Sequence, residues 1–460
     1  MKKPDIDQEE RIRARKERKR LIRLRKDKHY QGDSSTYTKE SQFLIKYDRK
    51  IIEKWNFSLL EFFKEKRFTI IQTSKSKSLN VPPKFSFRED YSLATNFIND
   101  VINSYLTFSG DKITIDFSNC SFVDQAALFV LVVINIEFRN ELSKLSQKLR
   151  RLSQEIEIEI IKSSNDTVNK RLFLTGLLKE IELKNEGLMP INTFGYHKVV
   201  KPKKTYSENK KGQIGTNTVS YLNECLSHHN YVILKEGQNY LDGIISEILN
   251  NAEDHSTFNT YYVTANFSSN KTHNKEDLKV GEINLSFMNF GNSIFEGFES
   301  TKDLNKVHYT LLDDKYSTLK KKYPFNKISK ELIFSLYALQ EGVSRLKYDD
   351  KSRGTGTIKF IKSFFDIGDY EDRTLGYIPF LNIYTGNCLI VCDNIYQPHF
   401  EDNMWKITLN GQKDLDVLPD PNYLKSLDRP FPGTLIFVKI YLNEEHIQSK
   451  LIKDEIDRPH

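Results

Sequence analysis

The sequence predicts an α/β (α+β) protein made of two α/β domains joined by a linker. Three observations lead to this fold class. Strand-like and helix-like patterns alternate between residues 112 and 181, which is typical of a small layered α/β domain. Residues 198–218 are basic, rich in Gly, Asn and Thr, and poor in apolar residues, which is typical of a linker. Beyond them, helix-like segments lead into strand-like runs, which indicates a second mixed domain.

Length and composition limit the class of protein. At 460 residues the chain suggests two or three domains, and 38% hydrophobic with 28% charged residues is ordinary for a soluble protein. The longest apolar run, Ala126–Ile134, is far shorter than the roughly 18–20 residues that cross a bilayer. The N-terminus has no apolar core of a secretory signal, and four cysteines give no disulfide framework. We therefore expect a cytoplasmic protein with no membrane partner.

Residues 1–40 are predicted to form a basic arm, helical or disordered. Thirteen Lys and Arg fall within the first 28 residues, against six acids, in a stretch of helix formers without Gly. A solvated, mobile terminus is the simpler interpretation. The functional alternative is an arm that contacts nucleic-acid phosphates or an acidic partner.

The first predicted domain spans residues 65–197, and its elements follow from hydrophobic periodicity. They are a strand at Phe68–Ser74, a helix over 94–106, a strand at Lys112–Asn119, an apolar helix after Asp124, a strand at Glu155–Ser163, and a helix that Gly176 interrupts. In the strand at 112–119, Ile113, Ile115 and Phe117 alternate and should share one side.

The second predicted domain spans residues 219–445 and contains a strongly amphipathic helix, Tyr240–His255, for which Asn239 is a candidate N-cap. Its apolar positions recur at helical spacing and predict a buried face formed by Leu241, Ile244, Ile245, Ile248 and Ala252.

A second stripe on the same helix carries Glu247, Asn251 and His255, each four residues apart. An Asn oxygen is a hard ligand suited to Mg²⁺, and a Glu can accept a proton from an attacking hydroxyl or water. A carboxylate and an amide one turn apart could therefore hold different parts of one metal–nucleotide complex. Taken alone, such a stripe is more often a solvated helix face.

Two later segments strengthen the nucleotide interpretation. A strand-like run ends in Asn289-Phe-Gly291, and Gly354-Thr355-Gly356 precedes an apolar helix. Glycines allow the backbone to approach a phosphate, and a helix N-terminus offers free N–H groups and a favourable dipole. One GxG segment is weak evidence, but the order of the three segments is more specific.

These segments resemble the GHKL ATPases, and most closely the anti-sigma-factor kinase branch with its pattern E-x-x-x-N-A-x-x-H. EILNNAEDHS resembles the N box, NFGNSI the first glycine box, SRGTGT the second, and the late Gly433-Thr434 the final G-T turn. The resemblance implies a Bergerat α/β sandwich that binds ATP and Mg²⁺. It implies that Glu247 is the general base and Asn251 the Mg²⁺ ligand. The implied nucleotide-binding residues are Asn251, Asp254, His255, Asn289, Gly291, Arg353, Gly354, Thr355, Gly356 and Thr434.

The chain departs from this family pattern at two positions of the first glycine box. Asn289 replaces the Asp that accepts a hydrogen bond from the adenine amino group, so adenine selectivity should be weaker. Ser293 replaces the second glycine. The Lys-rich segment between the two boxes is long, as in a lid that closes over phosphates.

The first domain resembles STAS domains, which include the anti-sigma-factor antagonists, through ITIDFSNCSFVDQAALFVLVV and the later LTGL step. In the antagonists the residue after the Asp equivalent to Asp124 is a phosphorylated Ser or Thr. Here that residue is Gln125, so the usual acceptor hydroxyl is missing, and a STAS-like fold kept as a binding platform is the favoured interpretation.

Together the two resemblances suggest a cytoplasmic ATP-binding regulatory protein of the partner-switching kind. As an enzyme it would be an ATPase or a serine/threonine-kinase-like protein. Its partner would be a regulatory or sigma-factor-like protein, or a second copy of the chain. Two alternatives stay open: an ATP-driven dimerising clamp acting on nucleic acid through the basic arm, and a non-catalytic adaptor that keeps the folds.

Overall fold

The computed structural model describes residues 9–10, 12–17, 19, 76–107, 112–149, 157–178, 194–200, 208–227, 232–271, 279–343, 356–368, 370–443 and 445–446. The chain divides into two compact units, residues 1–170 and 171–460. Both units combine helices with sheets, so the fold is mixed α/β of the α+β kind. No helix within these ranges is long and apolar enough to cross a membrane.

The described residues of the predicted arm are helical. The strand predicted at Phe68–Ser74 lies outside the described residues.

The elements of the first unit are β1 (Ser76–Asn80), β2 (Lys84–Phe85), α1 (Tyr91–Thr107), β3 (Lys112–Asp116), β4 (Phe122–Val123), α2 (Gln125–Leu149), β5 (Glu157–Ile161) and α3 (Asp166–Leu174), the last of which runs across the division between the units. They form a parallel sheet with strand order β1-β3-β5 and a second, two-stranded parallel sheet, β2-β4. The alternation predicted from the sequence between 94 and 176 is thereby confirmed.

Both faces of β3 are buried. Ile113 and Ile115 are fully buried, and Thr114 between them is buried on the opposite face, as is typical of a strand in a parallel sheet whose two faces are covered. The apolar first half of α2 is buried too. Gly176 follows the end of α3 with a φ of 79°. This left-handed backbone conformation is common just after a helix and favours Gly.

The elements of the second unit are β6 (Phe194–Val200), α4 (Glu208–Ser227), α5 (Lys235–His255), β7 (Ser256–Lys271), β8 (Lys279–Gly291), α6 (Ile294–Ser300), α7 (Lys306–Lys322), α8 (Lys330–Tyr337), α9 (Gly356–Ile367), β9 (Phe380–Cys392), β10 (His399–Glu401), β11 (Met404–Lys406) and β12 (Leu424–Asn443). Five of the strands form a sheet with order β6-β7-β8-β12-β9, in which every neighbouring pair is antiparallel. The short strands β10 and β11 form a separate antiparallel pair.

The stretch predicted as a linker, residues 198–218, contains the end of β6 and the first half of α4. Composition suggested a linker because apolar residues are sparse there. The few that are present are enough for a helix face, since Ile214 of α4 is buried in the core of the second unit.

Helix α5 anchors one face of the five-stranded sheet. It packs against β7, β8, α4 and α9, and the ring of Phe287 on β8 meets Phe360 of α9 edge-on with centroids 5.7 Å apart. The buried face of α5 consists of Leu241, Ile245, Ile248, Leu249 and Ala252. This confirms the predicted apolar face apart from Ile244, whose side chain lies outside the described set. Each of the buried Leu and Ile side chains contributes about 1.5–3 kcal/mol.

The start of α5 differs from the sequence prediction. Asn239 was the candidate N-cap, but the helix begins at Lys235. The extra turn is held by Gln238, which donates its backbone N–H to the carbonyl of Leu234 at 2.9 Å and its side-chain Nε2 to the carbonyl of Ile233 at 2.7 Å.

The opposite face of the sheet contains a buried ion pair. Nζ of Lys439 on β12 lies 3.3 Å from Oε1 of Glu282 on β8, and Asn284 donates to the same oxygen at 2.9 Å. Burial by itself would raise the pKa of Glu282, but the charges of Lys439 and Arg171 and the hydrogen bond from Asn284 outweigh it and lower that pKa to about 2.

The segment between β8 and α9 forms a small helical subdomain with its own core. Helices α6, α7 and α8 contribute its buried residues, which are Phe298, Leu312, Leu319, Ile333, Phe334 and Tyr337. The described part of the segment predicted as a lid is therefore a packed helical subdomain. Residues 344–355 of that segment lie outside the described residues.

Candidate functional site

Segments far apart in the sequence meet where β8 ends. Ser256, the residue directly after the end of α5, pairs with Gly291, the last residue of β8. On the other side of β8, Gly433 of β12 pairs with Phe290. The C-terminal end of α5, the glycine turn after β8 and the Gly-Thr step of β12 are therefore neighbours at one end of the sheet.

Four polar side chains cross this end of the sheet on adjacent strands. In register they are Tyr261 on β7, Asn289 on β8, Thr434 on β12 and Thr385 on β9, and we call them the polar row. Phe287, two residues before Asn289, belongs to the core under the helices. Because side chains alternate along a strand, the polar row lies on the same helix-covered face.

The threonine half of the polar row has its hydrogen bonds satisfied within the chain. The hydroxyl oxygens of Thr385 and Thr434 are 3.1 Å apart. Thr385 Oγ1 also accepts the backbone N–H of Ile294 at 2.9 Å. Ile294 begins α6, so this bond satisfies one of the N–H groups that a helix start leaves without an intrahelical partner. The row is thereby connected to the helical subdomain.

The other half of the polar row contains two buried donors without a partner among the described residues. Asn289 is 2% exposed and Tyr261 is 1% exposed. Within the described part of the chain, neither Asn289 Nδ2 nor the Tyr261 hydroxyl has a hydrogen-bond partner. Burial raises the pKa of Tyr261, which keeps its hydroxyl protonated. A buried polar group left unpaired costs about 1–3 kcal/mol, so a water or a ligand that pairs with either group would stabilise it.

Gly433 lets β12 approach the end of β8 closely. Its φ of 136° is a conformation that favours Gly, and a Cβ at this position would lie 2.1 Å from the carbonyl oxygen of Asn289. The glycine of the Gly433-Thr434 pair thus has a steric reason that is independent of any ligand.

Ser293 has a structural role that the family pattern does not suggest. It is the N-cap of α6: its Oγ accepts the N–H of Glu296 at 3.1 Å, and the Glu296 carboxylate accepts the N–H of Ser293 at 2.8 Å. This is a capping box, which satisfies two helix-terminal donors. The serine in place of the second box glycine therefore fixes the start of α6.

Glu331 of α8 closes the outer edge of the polar row. Its carboxylate accepts the backbone N–H of Asn387 at 2.8 Å and the side-chain N–H of Asn387 at 3.1 Å. A Cβ at Gly386, which has a φ of 53°, would lie 2.1 Å from Glu331 Oε1. Glu331 therefore attaches the helical subdomain to β9 directly beside Thr385.

The predicted catalytic stripe lies on the helix that reaches this site. Glu247, Asn251, Asp254 and His255 all belong to α5, and their side chains lie outside the described set. The backbone places His255 next to Ser256 and hence at the end of β8, with Asn251 about one turn and Glu247 about two turns earlier in α5.

The second predicted glycine segment is described only at its end. Gly356 is the first residue of α9, as predicted for a helix that starts at this segment. Arg353, Gly354 and Thr355 lie outside the described residues. Helix α9 packs against α5, so the helix that follows the second glycine segment and the helix that carries Glu247 and Asn251 are neighbours.

The described side chains contain no group of three or more His, Cys, Asp and Glu residues that could hold a metal ion. Cys388 and Cys392 are buried in the core of the second unit, and burial raises the pKa of both thiols. The predicted Mg²⁺ ligand, Asn251, has its side chain outside the described set.

In the first unit, Asp124 organises the start of α2. Its Oδ1 accepts the N–H of Ala127 at 2.7 Å, and its Oδ2 accepts the hydroxyl of Ser86 at 2.6 Å. Gln125, the first residue of α2, is 4% exposed, and its Nε2 has no partner among the residues that the structure describes. The residue after Asp124 is therefore a buried amide.

Sequence reasoning did not single out Tyr261, Thr385 or Glu331. Tyr261 is one of several aromatic residues in an apolar strand, and no local pattern sets it apart. Thr385 is followed by Gly386, which is a weak signal of close packing. Their importance depends on strand register, which one segment alone does not reveal.

No family model, no curated protein and no solved structure matches the chain. Fold and site define an α+β protein with a polar site at the end of an antiparallel sheet, next to the C-terminus of α5.

Proposed function

We propose that residues 219–445 bind ATP with Mg²⁺ as a GHKL-type domain. The observation that carries this proposal is the meeting of three segments at the end of β8: the end of α5, Asn289–Gly291, and Gly433-Thr434. The sequence resembles that family in each of these three segments. Two buried donors that lack a partner among the described residues lie at the same place and support a ligand there.

Each predicted residue has a role in this proposal. Asn289 and Thr434 would contact the base, and Asn251 would hold Mg²⁺ through its side-chain oxygen. When bound, Mg²⁺ would neutralise charge on the phosphate oxygens. Gly354 and Gly356 would let the backbone at the start of α9 approach the phosphates, and Arg353 would add positive charge. Glu247 would accept the proton of an attacking hydroxyl or water.

At the level of the whole chain we propose a cytoplasmic regulatory protein. Its nucleotide state would change how it engages a protein partner or a second copy of itself. The buried Gln125 has no hydroxyl to accept a phosphoryl group. The proposal therefore does not include self-phosphorylation at that position, and the first unit acts in it as a binding platform.

Titration calorimetry with ATP in the presence and absence of Mg²⁺ tests the binding proposal. We expect saturable binding by the wild-type chain, and at least about tenfold weaker binding by Asn251→Ala in Mg²⁺. Asn119→Ala is the matched control, because Asn119 is exposed in the first unit. No binding by the wild type at millimolar ATP would refute the proposal, and equal binding by Asn251→Ala would refute the assigned Mg²⁺ ligand.

Turnover separates the enzymatic form of the proposal from a non-catalytic adaptor. We expect Mg²⁺-dependent release of phosphate by the wild type and its loss in Glu247→Ala, with ATP binding retained. If the chain binds ATP but neither hydrolyses it nor transfers its phosphoryl group to a protein acceptor, the non-catalytic adaptor is favoured.

A further inference from the structure

We propose that the turn between α7 and α8 binds the surface of a membrane that contains anionic lipid. We call this turn, residues 323–326, the Phe325 turn. Phe325 is 97% exposed, the largest exposed fraction among the large hydrophobic side chains that the structure describes. Four lysines and no acidic residue lie in the surrounding segment, residues 320–327. The inference goes beyond the proposed nucleotide-binding function and does not depend on it.

The Phe325 turn has a defined structure that holds Phe325 at its tip. The backbone N–H of Asn326 donates to the carbonyl oxygen of Tyr323 at 3.1 Å, which makes a β-turn with Pro324 and Phe325 at its centre. Pro suits the first central position because its φ is fixed at the value needed there. Asn326 Oδ1 accepts the N–H of Ile328 at 2.8 Å. Tyr323 and Ile328 pack against the core of the helical subdomain, so both ends of the turn are anchored.

Positive charge surrounds this apolar tip. Nζ of Lys320 donates to the carbonyl oxygen of Asn326 at 2.8 Å, which places one ammonium group at the residue directly after Phe325. The remaining lysines of the segment are exposed, and they are Lys321, Lys322 and Lys327. The turn therefore presents an apolar ring together with several cations.

The stability of the subdomain does not explain this combination. Lysines in the last turn of α7 suit the negative end of the helix dipole, but Lys327 lies beyond that helix. An exposed Phe contributes nothing to a core, and burying its ring elsewhere would be favourable. The Asp416 carboxylate, whose residue accepts from Lys322 through its backbone carbonyl, is already paired with Lys315. The charge of the exposed lysines is therefore available to an anionic partner.

An anionic lipid surface fits these features better than other anionic partners do. Lys is depleted in protein–protein interfaces, and a standard interface buries roughly 800 Å² on each side, which one ring on a convex turn does not supply. Proteins that bind single-stranded nucleic acid stack successive bases on several aromatic rings. Within residues 320–327, all of which the structure describes, Phe325 is the one exposed aromatic residue.

A lipid surface requires only what the turn offers. The ring enters the boundary of the acyl chains, and the flexible lysine side chains keep their ammonium groups at the level of the lipid phosphates. The sequence predicted no membrane partner because it has no apolar run of spanning length. A surface contact of this kind needs no such run.

Vesicle sedimentation with the full chain tests the proposal, using phosphatidylcholine vesicles with and without phosphatidylserine. We expect the wild type to prefer the anionic vesicles and to bind them more weakly at high salt, which screens the charges. Phe325→Ser should weaken the binding about tenfold, because the apolar transfer of the ring is lost. Phe400→Ser is the matched control, since Phe400 is 59% exposed but lies beside the acidic Glu401, and it should bind like the wild type.

The lysines are tested by the double variant Lys321→Gln, Lys327→Gln. Each lysine near an anionic leaflet strengthens binding about fivefold, so this variant should bind roughly twenty-five-fold more weakly. The control Lys302→Gln, Lys306→Gln changes the net charge equally at exposed positions near the other end of α7. That helix has 17 residues and is about 25 Å long, well beyond the Debye length of roughly 8–10 Å, so the control should bind like the wild type.

Phe325→Trp, in a Trp55→Phe, Trp405→Phe background, reports whether the tip enters the lipid. We expect its fluorescence to shift to shorter wavelength with the anionic vesicles, because the ring leaves water. The proposal is overturned if the wild type does not bind anionic vesicles at low salt. It is also overturned if Phe325→Ser and the Lys321, Lys327 double variant bind as tightly as the wild type, since another part of the chain would then carry the binding. Phe325-dependent binding of a single-stranded oligonucleotide without vesicle binding would replace it with a nucleic-acid partner.

Discussion

Replacing Gly433 with Ala should strongly destabilise the second unit. The residue lies where β12 crosses the end of β8, with a φ of 136°. An added Cβ would lie 2.1 Å from the carbonyl oxygen of Asn289 and 2.9 Å from the Cα of Phe290. Both atoms are backbone, so no side-chain rotation relieves the contact.

Two costs add in this substitution. A non-Gly residue held at such a positive φ costs about 1–3 kcal/mol, and forcing an extra carbon into a packed site costs about 1–3 kcal/mol more. The expected loss in the free energy of unfolding is therefore about 2–6 kcal/mol, a large share of the roughly 5–15 kcal/mol that stabilises a typical domain.

Two other glycines separate these costs. Gly342 has a φ of 83° but no described atom within 4 Å of a built Cβ, so Gly342→Ala tests conformational strain alone and should cost about 1–2 kcal/mol. Gly411 has neither a positive φ nor a close neighbour among the described residues, and Gly411→Ala should be nearly neutral. Urea unfolding followed by the fluorescence of Trp405, in a Trp55→Phe background, measures all three variants. If Gly433→Ala cost no more than Gly342→Ala, the close approach of β12 to β8 would be refuted.

Helix α5 and the buried ion pair of the sheet provide two more predictions. Gly243 lies exposed inside α5 with no described atom within 4 Å of a built Cβ, so Gly243→Ala should stabilise the unit by about 0.5–1 kcal/mol in the same urea assay, and a loss of stability would contradict the helix there. Because the folded-state pKa of Glu282 is lowered from 4.5 to about 2, its contribution to stability is present above pH 4.5 and should be lost as the pH falls towards 2. The double variant Glu282→Gln, Lys439→Met should flatten the unfolding free energy over that window, and an unchanged pH profile would show that the ion pair is not the cause.

Much of the secondary structure could be predicted from local patterns. The strand at Lys112–Asp116 and helices α2 and α3 follow from the spacing of apolar residues, because a period of 2 or 3.6 places one set of side chains on one side. The apolar face of α5 follows for the same reason. Its first turn was not predicted, because Gln238 stabilises that turn through hydrogen bonds that composition does not encode.

Part of the candidate site was also predicted from the sequence. Motif order singled out Asn289, Gly291 and Thr434, and the structure brings them to one end of the sheet. The Asn251 and Arg353 assignments remain predictions, since the first side chain and the whole of the second residue lie outside what the structure describes.

The α+β class, the periodic elements and the three candidate nucleotide-binding segments could be predicted from the chain alone, because each depends on short-range residue spacing. The folded sheet then brings Tyr261, Asn289, Thr434 and Thr385 into one row. Those residues lie on four strands, and strand register is set by pairing between distant segments. The same pairing buries two donors without acceptors among the described residues, a property of the assembled sheet that none of its strands has alone.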